Sequence, residues 1–156
     1  YTGGNGVNQY DHFLATVRGA LAAGDIDGDG KKDVLIPSGI LWMQGESDAN
    51  NEYATSIYKE NLAMLMDSIR NVFSAPDMPV AIGRISDSHN DADSLVWTWG
   101  DAVREAQALF VAEDGNAALV TSTDDYSYSD PWHYDSEGFI DLGKKFAEAI
   151  AGLRRR

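Results

Sequence analysis

Cysteine is absent from the 156 residues. Disulfides, thiolate catalysis and zinc–thiolate sites are therefore excluded, and the compartment stays open. Basic residues are scarce: Lys and Arg total 12 against 25 Asp and Glu, a net charge of −13. A surface of that sign repels phosphate backbones and anionic lipid, which argues against nucleic-acid and membrane-surface roles. The one basic cluster, Arg154-Arg155-Arg156, reads as a terminal run rather than a binding patch. No apolar run approaches the roughly 20 residues that span a bilayer. No signal peptide is visible, and the opening at Tyr1 rather than Met leads us to expect a true start elsewhere. Also lacking is an evident nucleophilic serine ahead of the polar blocks described below.

What is present is enough apolar content, 44%, to fill the core of one domain, expected over residues 1–156. Apolar periodicity predicts helices over residues 8–22, 52–73 and 97–112, and a last helix after Ser136, which is suited to cap it. Between them lie short apolar runs at 40–43, 80–83 and 118–121, read as strands. The order α-β-α-β-α-β-α, with continuously apolar strands, predicts a parallel sheet in an α/β fold. Three strands are few for such a sheet, so a strand-and-helix unit is expected upstream of Tyr1.

In a parallel sheet the C-terminal strand ends share one edge. Gln44-Gly45-Glu46-Ser47-Asp48 follows the first strand, Arg84 the second, and the loop with Asp130-Pro131-Trp132-His133 the third. A histidine acting as base needs a partner that fixes its tautomer, and Asp130 stands three residues before His133. The plainer alternative is a surface loop that caps the next helix. Gln44 carries a neutral amide suited to a developing oxyanion, and Gly45 allows close approach of backbone or substrate. Glu46 and Asp48 would repel an oxyanion and are expected to face away, holding neighbouring loops. Ser47 tempts as a nucleophile but has no evident base. Arg84 and Trp132 are candidates for substrate contact; the plainer role of the Trp132 ring is to pack its loop.

A second signal is Asp25-Ile26-Asp27-Gly28-Asp29-Gly30-Lys31-Lys32-Asp33. Oxygen ligands at alternating positions with Gly at the sixth match a calcium loop. Asp25, Asp27, Asp29, the Lys31 carbonyl and Asp33 would be the ligands. Ile36 occupies the twelfth position, so the usual bidentate glutamate is missing and modest affinity is expected. The alternative is a solvated turn. A structural Ca2+ ion steadying the entry to the first strand is the reading adopted, with no organic cofactor. Calcium is abundant outside the cell, which favours a secreted or periplasmic location.

Residues 40–49, Ile-Leu-Trp-Met-Gln-Gly-Glu-Ser-Asp-Ala, resemble the third conserved block of the SGNH hydrolases, in the sialate O-acetylesterase and acetylxylan-esterase branch. The resemblance continues through Pro79 to Ile85, Val103-Arg104-Glu105-Ala106-Gln107, Asp130 to Asp135, and Leu142 to Ala147. It implies a serine carbohydrate esterase on a three-layer α/β/α, flavodoxin-like sheet, acting on acetylated carbohydrate. It carries over Gln44 as oxyanion donor, Asp130 as orienting acid and His133 as base. Arg84 stands where family members often have Gln. The family's Gly-Gln-Ser-Asn nucleophile block does not occur, and Gly3-Gly4-Asn5-Gly6 is a poor substitute. The nucleophile would come from an N-terminal fragment or second chain, unless Ser47 serves. A calcium-stabilised carbohydrate-binding module that has lost catalysis is the competing reading.

Overall fold

The computed structural model describes residues 6–89 and 95–155. Gly3, Gly4, Asn5, part of the polar loop after the second strand, and Arg156 lie outside the described residues. The chain divides into two compact units, Tyr1–Pro37 and Ser38–Arg156.

In the first unit, Asn8 ends extended backbone and opens helix α1, Gln9–Ala23. Its side chain accepts from the Asp11 amide while the Asp11 carboxylate accepts from the Asn8 amide, so two otherwise unpartnered donors are met. Helix α1 contains no buried residue. In its apolar stripe, legible as a core-facing pattern, Tyr10, Phe13, Leu14 and Val17 are half-buried and Leu21 is exposed.

The second unit holds a sheet of three parallel strands: β1 Ile40–Trp42, β2 Val80–Gly83 and β3 Ala117–Val120, in the order β1-β2-β3. Helices α2 (Glu52–Ser56), α3 (Tyr58–Val72), α4 (Gly100–Asp114) and α5 (Ser136–Leu153) complete it. Strand side chains alternate between faces. Ile40, Val80 and Ile82 pack with Leu62, Met66, Val103 and Phe110 from α3 and α4. Ala81 and Val120 pack with Leu142 and Phe146 from α5. The α/β fold with a parallel sheet expected from the element order is thus the one observed, and the helices lie on both faces as the resemblance implies. Only β2 is buried throughout; in edge strand β1, Leu41 is 56% exposed.

Two details differ from expectation. The helix over 52–73 is broken at Ile57, whose φ of −115° leaves the helical range. Asn51 caps the short α2 through the Ala54 amide, and the Thr55 hydroxyl binds the Asp48 carbonyl. At the break the Ile57 amide turns back to the Ala54 carbonyl, and a new helix starts at Tyr58. The cap of α5 is Asp135, not Ser136: its carboxylate accepts from the Gly138 amide, a negative charge at the positive helix end.

Candidate active site

The ends of β1, β2 and β3 release three segments onto one edge of the sheet. After β1, Gly45 has φ of 148°, and a Cβ there would lie 2.8 Å from Val103 Cγ1, so only glycine fits this turn. The turn directs Gln44 into a small pocket with Trp42, Asp48, Tyr58 and Asn61. One amide hydrogen of Gln44 goes to the Asp48 carboxylate. Asp48 therefore does not face away, as expected from sequence; four residues along a tight turn, it is the nearest acceptor for the Gln44 amide. The amide has a second hydrogen, and Asp48 fixes the plane in which it lies.

After β3, residues 128 and 134 form an antiparallel bridge, making a hairpin with Asp130 to His133 at its tip. Both Asp130 carboxylate oxygens meet His133 Nδ1, at 2.9 and 2.8 Å. The carboxylate also accepts from the Trp132 and His133 amides. The His133 bond, with these amides, holds the Asp130 carboxyl below the usual carboxylate range. The other imidazole nitrogen, Nε2, has no hydrogen-bond partner among the described residues, and the His133 side chain is 64% exposed. Asp130 thus holds one nitrogen of an exposed imidazole. Trp132 beside it is 59% exposed.

The segment after β2 links these two. The Ser86 hydroxyl meets the Tyr128 and Tyr134 hydroxyls at 2.6 and 2.8 Å and donates to the Thr123 carbonyl. The Ser88 hydroxyl donates to the Pro131 carbonyl. Burial raises the Tyr134 hydroxyl far above its ordinary range, and the Glu46 carboxylate adds to the shift. Glu46, on the turn after β1, therefore lies within electrostatic reach of the His133 hairpin. The Arg84 guanidinium clasps Asp124 through Nε and Nη2, and Asp124 also receives Arg104. Ser47 is exposed and makes no side-chain capping bond.

Over residues 4–152 the chain matches the family model described as carbohydrate esterase, sialic acid-specific acetylesterase. The chain belongs to this family. Among solved structures, the X-ray structure of a protein from Arabidopsis thaliana is similar. The TM-score is 0.69 at 23% identity, over 94% of this chain and 53% of that one. This chain spans about half the length of that structure, and the likeness is one of fold. No curated protein matches.

Within this carbohydrate-esterase fold, a pocket of about 370 Å³ opens beside the hairpin, lined by Ser86, Asp87, His89, Trp97 and Arg104 among others; Gln44, Asp130 and His133 do not line it. Asp87 organises its wall by accepting from the amides of His89, Val96 and Trp97. Sequence reasoning missed Ser86, Asp87, Asp124 and above all Gln107. A signal existed for the last: Val103, Gln107 and Phe110 share the buried stripe of α4, and an amide on an apolar stripe needs partners.

In the first unit, the loop 25–33 folds around its own carboxylates. Asp25 accepts from the Gly28 and Gly30 amides, Asp27 from Asp29, Asp29 from Lys31, and Asp33 from Ile26. Gly30, at the sixth position, has φ of 80°, which side chains rarely adopt. Carboxylate oxygens of Asp25, Asp27 and Asp29 lie within 4.8 Å of one another. The Lys31 ammonium sits on Asp29 at 2.8 Å and lowers its pKa, a monovalent charge against the cluster.

Proposed function

We propose that this chain is the base-bearing part of a carbohydrate O-acetylesterase, hydrolysing acetyl esters on sugars with a serine that lies outside its 156 residues. The observation that carries this reading is the Asp130–His133 pair, with Nδ1 held by carboxylate and Nε2 open at the sheet edge. In that arrangement the serine hydroxyl attacks the acetyl carbonyl and His133 Nε2 takes its proton. Asp130 stabilises the resulting imidazolium, and the second amide hydrogen of Gln44 serves the oxyanion. His133 then returns the proton to the departing sugar oxygen, and water repeats the sequence on the acyl-enzyme. Trp132 offers its exposed ring to a sugar face, Gly45 lets substrate approach, and Arg84 presents the guanidinium edge left free by Asp124.

The serine-bearing segment would pair along the free edge of β1. There Leu41 lies exposed in a groove with Ser38, Gly39, Ala147 and Ile150. An edge strand with unpaired backbone groups is a ready template for another strand.

The test uses an aryl acetate. Activity is expected when the chain is joined to an upstream segment carrying a Gly-Gln-Ser block, and His133→Ala or Asp130→Asn should reduce it by about 10³-fold or more. Activity that survives His133→Ala would sink the proposal. Activity of the isolated chain that disappears in Ser47→Ala would make Ser47 the nucleophile. Saccharide binding without turnover in either form would leave the binding-module reading.

We propose further that loop 25–33 takes one Ca2+ through Asp25, Asp27, Asp29, the Lys31 carbonyl and Asp33, with a structural role, in a secreted or periplasmic protein. Its carboxylates converge, and cation binding would relieve their mutual repulsion. Terbium luminescence, displaced by calcium and lost in Asp25→Asn, is the expected result. A chelator that leaves the melting temperature of calcium-loaded protein unmoved would count against it.

A further inference from the structure

Strands β1 and β2 are in register up to Trp42 and Ile82, and beyond that point their chains part. Parting leaves the Gln44 carbonyl, the Gly83 carbonyl and the Ile85 amide outside the β1–β2 ladder. Buried backbone groups need partners. Gln107 supplies them from α4, with 0% of its surface exposed. Its Nε2 donates to the Gln44 carbonyl at 3.1 Å and the Gly83 carbonyl at 3.3 Å, and its Oε1 accepts from the Ile85 amide at 3.0 Å. The Tyr58 hydroxyl donates to the same Gln44 carbonyl at 2.7 Å.

We infer that Gln107 is a positioning residue for the oxyanion donor, and that it couples the donor to the base. An apolar side chain would fill the same volume at lower desolvation cost, so packing alone does not explain a buried amide. What the amide does is tie the backbone of Gln44, whose side chain Asp48 already orients, to the exit of β2. The residue after Ile85 is Ser86, whose hydroxyl holds Tyr134, the neighbour of His133. The spacing between Gln44 and His133 is therefore set through Gln107, Ile85 and Ser86. A displacement of Gln44 by a fraction of an ångström would weaken oxyanion stabilisation without touching substrate affinity. This inference rests on the esterase reading for its catalytic consequence, and on geometry alone for its structural one.

The experiment therefore has two arms. In whichever form hydrolyses aryl acetate, Gln107→Leu should lower kcat about tenfold or more per folded molecule while KM stays within about twofold. In the isolated chain, nitrogen-15 spectra should show the Gln44 side-chain amide moving toward solvent-exposed shifts in Gln107→Leu, with the His133–Asp130 proton signal unchanged. Gln107→Met keeps much of the size but loses both donor and acceptor, and should behave like Gln107→Leu. If Gln107→Leu does not fold, Tyr58→Phe removes one of the two donors to the Gln44 carbonyl and should give a smaller change of the same kind. A Gln44 amide signal unmoved in the foldable variants overturns the inference whether or not the protein is an esterase. So does an unchanged kcat in an active form. Absence of activity in the parent would sink the esterase reading and leave the spectroscopic arm decisive.

Discussion

Asp124 shows how single side chains hold the site's frame. Burial alone would raise its carboxyl; Arg104 and Arg84 outweigh that and hold it below its ordinary value. A folded-state pKa below the unfolded one stabilises above the unfolded value, about 3.9, and the contribution is lost as pH falls through the depressed folded value. Asp124→Asn is therefore expected to cost about 1–3 kcal/mol near neutrality, and the gap to the parent should close below about pH 4. Urea unfolding at several pH values reads this directly; a gap independent of pH would contradict it. Arg70 and Asp114 are a harsher case. Both side chains are 7% exposed and meet at 2.6 Å, and Arg70 also donates to the Met78 carbonyl. Arg70→Met strands a buried carboxylate and should cost about 3–5 kcal/mol. The double variant Arg70→Met/Asp114→Leu should recover much of that loss.

At the scale of elements, burial separates the helices sharply. Helix α5 buries Leu142, Phe146 and Leu153, whereas α1 buries nothing. Phe146→Ala, emptying the layer between α5 and Ala81, should cost about 3–5 kcal/mol. Hydrogen exchange should rank the elements in the same way. Amides of β2, buried throughout, should open only with the whole unit. Those of α1 should exchange orders of magnitude faster, since little tertiary packing supports them. Equal protection of α1 and β2 by exchange mass spectrometry would show that α1 is covered in solution.

At the scale of the whole molecule the telling feature is the place of β1 at the end of the strand order. A parallel sheet is ordinarily covered on both faces and flanked by further strands. Among the described residues β1 ends the sheet and Leu41 stands exposed. Leu41→Lys should leave the stability of this chain within about 0.5 kcal/mol, because the side chain is already in solvent. The same substitution should abolish activation by a serine-bearing upstream segment, because that segment would bury the charge. Activation that tolerates the lysine would place the docking surface elsewhere.

Local pattern determined much. The apolar runs at 40–43, 80–83 and 118–121 differ by at most one residue at either end from the strands formed, because short continuously apolar runs have few ways to hide. Asp130 and His133 were legible as a pair because they lie on one tight loop, where three residues of spacing nearly fix the contact. The break at Ile57 was not legible: apolar spacing runs on through it, and only the backbone, with Ile57 at φ of −115°, shows it. The role of Gln107 was equally hidden. Its four polar contacts join residues 22 to 63 positions away, and only the parting of two strands creates the unpartnered groups it serves. Sequence alone thus specified which groups arrive at the sheet edge. Tertiary structure decided how they are held there, because hydrogen bonds between remote segments depend on positions that packing alone supplies.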